Sequence, residues 1–298
     1  MQNYLNAYLA YCEKLKNLDS KTLKAYRIDL EQFFLSARKV QFNKESISCH
    51  IETLHDKFKP KTVKRKIASL KAFSSYCENE GYLSINPFHV MKLKYKEPLI
   101  LPKTINSSDV QAILKAAYDE QRKANSTYTK TQCNRDVVVL ELLFATGMRV
   151  SELCSLKNGD VNLSAHFIRI MGKGAKERII QLTNDEVVIA LTEYQKRDGI
   201  LDEFFLKNRD GQRLSEQSVR QIINKHVKKA NLKMHVTPHM FRHTFATLLL
   251  EEDVDIRYIQ KILGHSSITT TQIYTHVSTK QQRLILEIKH PRNRMTVH

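Results

Sequence analysis

Toward its C-terminus the chain reads Thr237-Pro-His239-Met-Phe-Arg242-His243, then Leu263-Gly-His265, then Ile273-Tyr274-Thr-His276. A tyrosine hydroxyl is a poor nucleophile at neutral pH, because its pKa lies near ~10. It becomes useful when cationic donors surround the group it attacks and stabilise the charge that develops there. Two upstream segments supply further cations: Arg149 in Ala145-Thr-Gly-Met-Arg-Val-Ser-Glu-Leu153, and Lys173 in Met171-Gly-Lys-Gly-Ala-Lys-Glu-Arg178. Taken in order, Arg149, Lys173, His239, Arg242, His265 and Tyr274 read as a phosphate clamp with a nucleophile inside it. A DNA phosphodiester suits such a site.

Each group has a plainer reading, and several are weak alone. Thr237 at the N-cap and Pro238 at the first helical position start a helix. His239 and Arg242 are then i and i+3 on one face beside the positive helix end, where both can donate to one phosphate. A lone HxxR would be surface decoration. His243 stands four residues after His239, a metal-ligand spacing, but Met240 replaces the Glu that an HExxH motif needs and no Cys or acidic cluster is near, so metal binding ranks below phosphate binding. Gly172-Lys173-Gly174 lacks the Walker A pattern and reads better as a hairpin offering a lysine to DNA. Lys173 could protonate a leaving alkoxide, and Lys176 competes for that role. Arg149 could simply pair with Glu152, which could also orient it. His265 alone would be a capping histidine, and Tyr274 is one of 12 tyrosines. The ordered set carries the argument.

Those residues must be held by folded elements. At 298 residues two domains are expected. The charge of +17 favours a polyanionic partner. Five scattered cysteines without a CxxC pair read as reduced. Neither a signal peptide nor an apolar run of membrane-spanning length (about 18 residues) is visible, so a cytoplasmic protein is expected.

Periodicity predicts an all-helical module over residues 1–90. Leu5, Tyr8, Leu9 and Cys12 share one face, Ser20 caps a second helix, and a third spans Ile47 to Leu54. A fourth buries Val63, Ile67, Leu70 and Phe73 and presents Lys61, Lys64, Arg65 and Lys71 as a candidate DNA-facing surface. Residues 91–104 read as a linker, with Pro98 and Pro102 interrupting alternating basic and apolar residues. Beyond it, a helix starts at Ser107 or Ser108, and an apolar helix, Val137 to Thr146, ends at Gly147 as C-cap. His166–Met171 and Arg178–Leu182 predict a β-hairpin with a basic tip. Helices follow at about 184–197, 214–230, 238–252, 255–263 and 268–276.

In these motifs the chain resembles the tyrosine site-specific recombinases of the phage integrase family, most closely the Xer type. The resemblance rests on Ala145–Leu153, Gly172–Arg178, His239-Met-Phe-Arg242-His-Thr-Phe-Ala-Thr247, Leu263–Tyr274 and the closing His290-Pro291-Arg292. It implies a mainly α fold with a small β-sheet, arranged as a two-domain C-shaped DNA clamp: a SAM-like core-binding domain at 1–90 and a catalytic domain at 105–298. It also implies roles. Tyr274 attacks to give a 3′-phosphotyrosyl link, and Arg149 and Arg242 hold the non-bridging oxygens, worth about 3 kcal/mol each in a dry site. Lys173 is the acid for the 5′ oxygen, His239 assists proton transfer and His265 donates to the phosphate. The resemblance further implies that neither a metal nor a cofactor is required. Partners would be inverted-repeat duplex DNA, a homotetramer or a heterotetramer with a second recombinase, and an activating protein.

With no further DNA-binding module read ahead of the core-binding domain in this sequence, dimer resolution is favoured over mobile-element integration. A type IB topoisomerase, a non-catalytic regulator and a metal-dependent nuclease are weaker alternatives. Residues 278–298 are expected to form an interaction tail in which Leu284–Ile288 docks into a neighbouring subunit. Deletion from about Gln281 should then abolish cooperative assembly and spare single-site binding.

Overall fold

The computed structural model describes residues 4–36, 42–91, 93, 103–172, 177–198, 203–264 and 285–295. The chain divides into two compact units, Met1–Ile100 and Leu101–His298.

In the N-terminal unit, four helices enclose one aromatic-rich core: α1 (Leu5–Lys14), α2 (Ser20–Ser36), α3 (Lys44–Lys57) and α4 (Pro60–Asn79). The stripe expected on α4 is buried, with Val63, Leu70 and Phe73 fully so. Tyr8, Phe34 and Phe42 meet the Phe73 ring at steep angles, the geometry that opposed ring quadrupoles favour. Helix α2 is capped by Asp19 rather than Ser20: its Oδ1 accepts from the Thr22 N–H at 2.8 Å. Helix α3 runs longer than its apolar residues predict, because Asn43 and Ser46 close a reciprocal capping box before it.

The C-terminal unit is built around α6 (Thr127–Thr146), which packs against α5 (Ser107–Lys123), α8 (Asp185–Asp198) and α10 (Pro238–Glu251). Every residue of α6 from Asn134 to Thr146 except Arg135 is buried, the pattern of a helix surrounded on all sides. Its polar first half carried no periodic signal. A capping box between Ser126 and Thr129 starts it, and the Gln121 amide donates to Asn134 from α5. At the C-cap of α6, Gly147 has φ 57°, and a Cβ there would lie 2.7 Å from both Leu263 and Phe245 side chains. Only glycine fits that conformation and that approach.

After the short α7 (Val150–Cys154), a three-stranded antiparallel sheet adds an unexpected β1 (Val161–Asn162) to the hairpin of β2 (Phe167–Met171) and β3 (Glu177–Gln181). Ile168 pairs with both Val161 and Ile180. Next come α8, α9 (Glu216–Lys229), α10 and α11 (Ile256–Leu263). The helix expected near 268–276 lies outside the described residues.

Residues 285–289 are helical and Leu286 is completely buried in the core of this unit. The described part of the expected interaction tail, residues 285–295, is therefore seated on its own unit. The reason is electrostatic as much as apolar. The fully buried Arg292 guanidinium donates to both oxygens of the fully buried Glu141, at 2.9–3.2 Å, and is paired with Glu186. Tyr118 donates to the same Glu141 carboxylate at 2.9 Å. His290 is fixed in one tautomer. Its Nδ1 accepts from the Arg292 backbone N–H at 3.0 Å, so Nε2 carries the proton and donates to the Ala145 carbonyl at 2.6 Å.

Candidate active site

Arg149 occupies the N-cap of α7, two residues after the left-handed turn at Gly147. Its own N–H donates to Glu152 Oε2 at 2.8 Å and its Nη1 to Oε1 at 2.7 Å. The structural Arg–Glu pair and the orienting role are thus one arrangement. Arg242, in the first turns of α10, is buried, and its guanidinium donates to the carbonyls of Gly147 at 2.7 Å and Leu263 at 2.6 Å. Those two bonds orient a group with five N–H donors without exhausting it. Burial and the neighbouring Arg149 cation push its pKa down to about 10, so it remains charged at neutral pH.

The sequence reading missed Arg178. From β3 it grips Glu152 with both terminal nitrogens, Nη1 to Oε1 at 3.1 Å and Nη2 to Oε2 at 2.7 Å. Its Nε donates to the Ile262 carbonyl at 2.9 Å. Glu152 thus sits between two guanidiniums. Burial would raise its pKa, but the bonds from Arg178 and Arg149 outweigh burial and hold the carboxyl below its ordinary range.

These contacts converge on one place, the C-terminal end of α11. Its last carbonyls lack intrahelical partners, and three come from Ile262, Leu263 and Gly264. They are taken by Arg178, Arg242 and Arg149 respectively, the last at 3.3 Å. Gly264 turns the chain at φ 65°, and a Cβ on it would meet the Arg178 side chain at 3.1 Å. Two adjacent cationic side chains, Arg149 and Arg242, are therefore anchored to each side of a fixed chain exit whose next residue in sequence is His265.

His239 lies on the exposed side of the same first turn of α10. Pro238 starts that helix as expected, although Thr237 makes no side-chain cap bond. Half-buried His243 has its pKa lowered by burial and by His239 and Arg242. Lys173, Lys176, His265 and Tyr274 lie outside the described residues. Among the described residues, no cluster of three or more His, Cys, Asp or Glu could hold a metal ion, and no helix is long and apolar enough to cross a membrane.

On α4 of the N-terminal unit, Lys61, Lys64, Arg65 and Lys71 are all exposed, but they are not equivalent. Arg65 is ion-paired with the buried Asp29, and Lys71 sits 5.8 Å from the Phe88 ring centre. The intervening Lys66 turns inward, where its ammonium donates to Asp29 Oδ1 at 2.9 Å and lies 4.9 Å from the Phe58 ring centre.

Comparison with known proteins adds the remaining observation. Residues 103–281 match the phage integrase family and residues 5–81 the N-terminal SAM-like domain of phage integrases. A tyrosine recombinase of Agathobacter rectalis is 48% identical over 98% of this chain and 97% of its own length. Tyrosine recombinase XerC of Thermodesulfovibrio yellowstonii is 37% identical, covering 97% of each chain. The structure of XerH bound to palindromic difH superposes with a TM-score of 0.71 at 22% identity, over 95% of this chain and 84% of that one. A λ integrase tetramer on a Holliday junction gives 0.68 at 18% identity, over 93% and 80%. With a cluster of arginines at the end of α11 on a mainly helical two-unit fold and these matches along nearly its whole length, the chain belongs to the phage integrase family of tyrosine recombinases.

Proposed function

We propose that this protein is a site-specific DNA recombinase of the Xer kind, which cuts and rejoins duplex DNA through a 3′-phosphotyrosyl intermediate. The observation that carries the reading is the convergence of Arg149 and Arg242 on the exit of α11, nine residues before Tyr274 in the His265-to-Tyr274 spacing. Fixed cations at such a point favour the charge that builds on a phosphorane, without reorganisation during the reaction.

In this reading the Tyr274 oxygen forms a bond to the scissile phosphorus and the bond from phosphorus to the 5′ oxygen breaks. His239 takes the tyrosine proton, and Lys173, in preference to Lys176, gives a proton to the departing 5′ oxygen. Arg149, Arg242 and His265 hold the non-bridging oxygens. Attack by a 5′-hydroxyl of a partner strand reverses the step and releases Tyr274. One ester replaces another, so no ATP and no metal ion is needed. Lys61, Lys64, Arg65 and Lys71 of the N-terminal unit would contact backbone phosphates, which fix register without reading sequence. Assembly is as a tetramer on two inverted-repeat sites, in the cytoplasm, and the biological role is resolution of chromosome or plasmid dimers.

Capture of DNA that stays covalently bound after denaturation tests this, with Tyr274→Phe beside wild type and the trapped ends sequenced. Adducts confined to wild type and sharing an inverted repeat are expected. Tyrosine-dependent adducts without a shared site would indicate a type IB topoisomerase. Their absence from both proteins counts against catalysis.

A further inference from the structure

We infer that Arg178 is a positioning residue for strand cleavage, acting through Glu152 and the Ile262 carbonyl on Arg149 and on the chain exit into His265. The inference rests on the reading of Arg149 and Arg242 as the phosphate clamp.

Three features separate Arg178 from an ordinary structural arginine. First, its donors are divided between two destinations that belong to the site: a fork onto both Glu152 oxygens and Nε onto the Ile262 carbonyl. No lysine can span both, because the planar fork and the separate Nε donor are properties of the guanidinium. Second, two guanidiniums, those of Arg149 and Arg178, share a single carboxylate, that of Glu152. Arg178 absorbs half of the hydrogen-bonding capacity of Glu152. Without it, the whole of that negative charge would fall on Arg149 and offset the cation that the phosphate needs. Third, the side chain of Arg178 is only 9% exposed, so it acts on the groups that meet DNA and does not meet DNA itself.

Gly264 supports the same reading from the opposite side. The turn there is left-handed, with φ 65°, and a Cβ added at Gly264 would lie 3.1 Å from the Arg178 Cδ and Nη1. Glycine suits both that conformation and the passage of the β3 arginine over the end of α11. The last residue of the Gly172–Arg178 segment and the glycine of Leu263-Gly-His265 form one contact, far apart in sequence.

The test compares full-length Arg178→Gln, Arg178→Lys, Arg149→Gln and wild type on a nicked duplex carrying the site recovered by adduct capture. The cleavage position holds either the natural phosphodiester or a methylphosphonate, which lacks the negative charge. Site binding and the single-turnover rate of covalent adduct formation are measured separately. For Arg178→Gln, binding should be unchanged and the phosphodiester rate should fall about 10²-fold, the scale of a misplaced reacting group. The loss on the methylphosphonate should be about tenfold smaller, because the clamp's charge contributes less there. Arg178→Lys should fall between Arg178→Gln and wild type, and it carries the comparison if the glutamine variant does not fold. Equal losses on both substrates, or full activity of Arg178→Gln, overturn the inference. If Arg149→Gln shows the charge dependence and Arg178→Gln does not, only the positioning role fails. If Arg149→Gln shows none, the clamp reading itself fails.

Discussion

Acidification should weaken the C-terminal unit in part through His290. The ring is completely buried, its Nδ1 accepts from a backbone N–H and its Nε2 donates to the Ala145 carbonyl. A second ring proton would point at the Arg292 N–H and would leave a charge in the core. Burial, with the Arg292 cation behind it, therefore pushes the pKa down from 6.5 to about 4, although the bond to Ala145 opposes the shift. The folded state holds the neutral ring and the unfolded chain protonates first. Stability is then complete above 6.5 and is lost as pH falls through the window from 6.5 to about 4. Between about pH 7.5 and pH 5 the loss from this group is about 2 kcal/mol, from 1.36 kcal/mol per unit of separation. Because the chain has no tryptophan, urea unfolding followed by far-UV circular dichroism is the suitable assay. His290→Gln, which keeps a donor but does not titrate, isolates the effect from other histidines. The stability advantage of wild type over His290→Gln should shrink by about 2 kcal/mol on acidification. An advantage that stays constant, or grows, across that range would refute the reasoning.

Arg292→Met should destabilise the same unit by about 3–5 kcal/mol, because it strands the Glu141 carboxylate without water. Adding Glu141→Gln should recover much of that loss, read as the urea midpoint. Truncation at Gln281 should for the same reason lower stability before it reports on assembly, which the thermal midpoint of the truncated chain checks. Gly264→Ala should lower the melting temperature, because the φ of 65° costs about 1–2 kcal/mol for an L side chain and Arg178 must also move. In the N-terminal unit, Asp29→Asn should cost about 3 kcal/mol by leaving the Lys66 ammonium buried without its carboxylate, and Lys66→Met in that background should restore most of it.

Much of the scaffold was legible where local chemistry decides structure. The apolar stripe of α4, the left-handed stop at Gly147, the Pro238 start of α10 and the β2–β3 hairpin follow from period, backbone conformation and turn composition. Misses fall where local signals are silent. The first ten residues of α6 are polar without a stripe, and β1 is two residues long. Each is held by contacts to distant segments, which no short window contains. The seating of residues 285–295 was silent in sequence for a related reason. Leu286 reads as an apolar residue in search of a partner, and nothing near Arg292 in sequence says that Glu141 waits within the same unit.

For the site, the sequence by itself determined the reaction class. Residue type fixes what an Arg, a Lys, a His or a Tyr can do, and the order of motifs fixes which family the set resembles. Tertiary structure alone decided how the cations are shared. Whether Lys66 faces water or Asp29, whether Arg65 is tied to that same carboxylate, and whether Arg178 serves Glu152 or solvent all depend on which buried acceptor lies within hydrogen-bond reach. A one-dimensional sequence lists donors and acceptors. Only the folded chain matches them, because a buried charge must find its partner across residues separated by tens of positions or more.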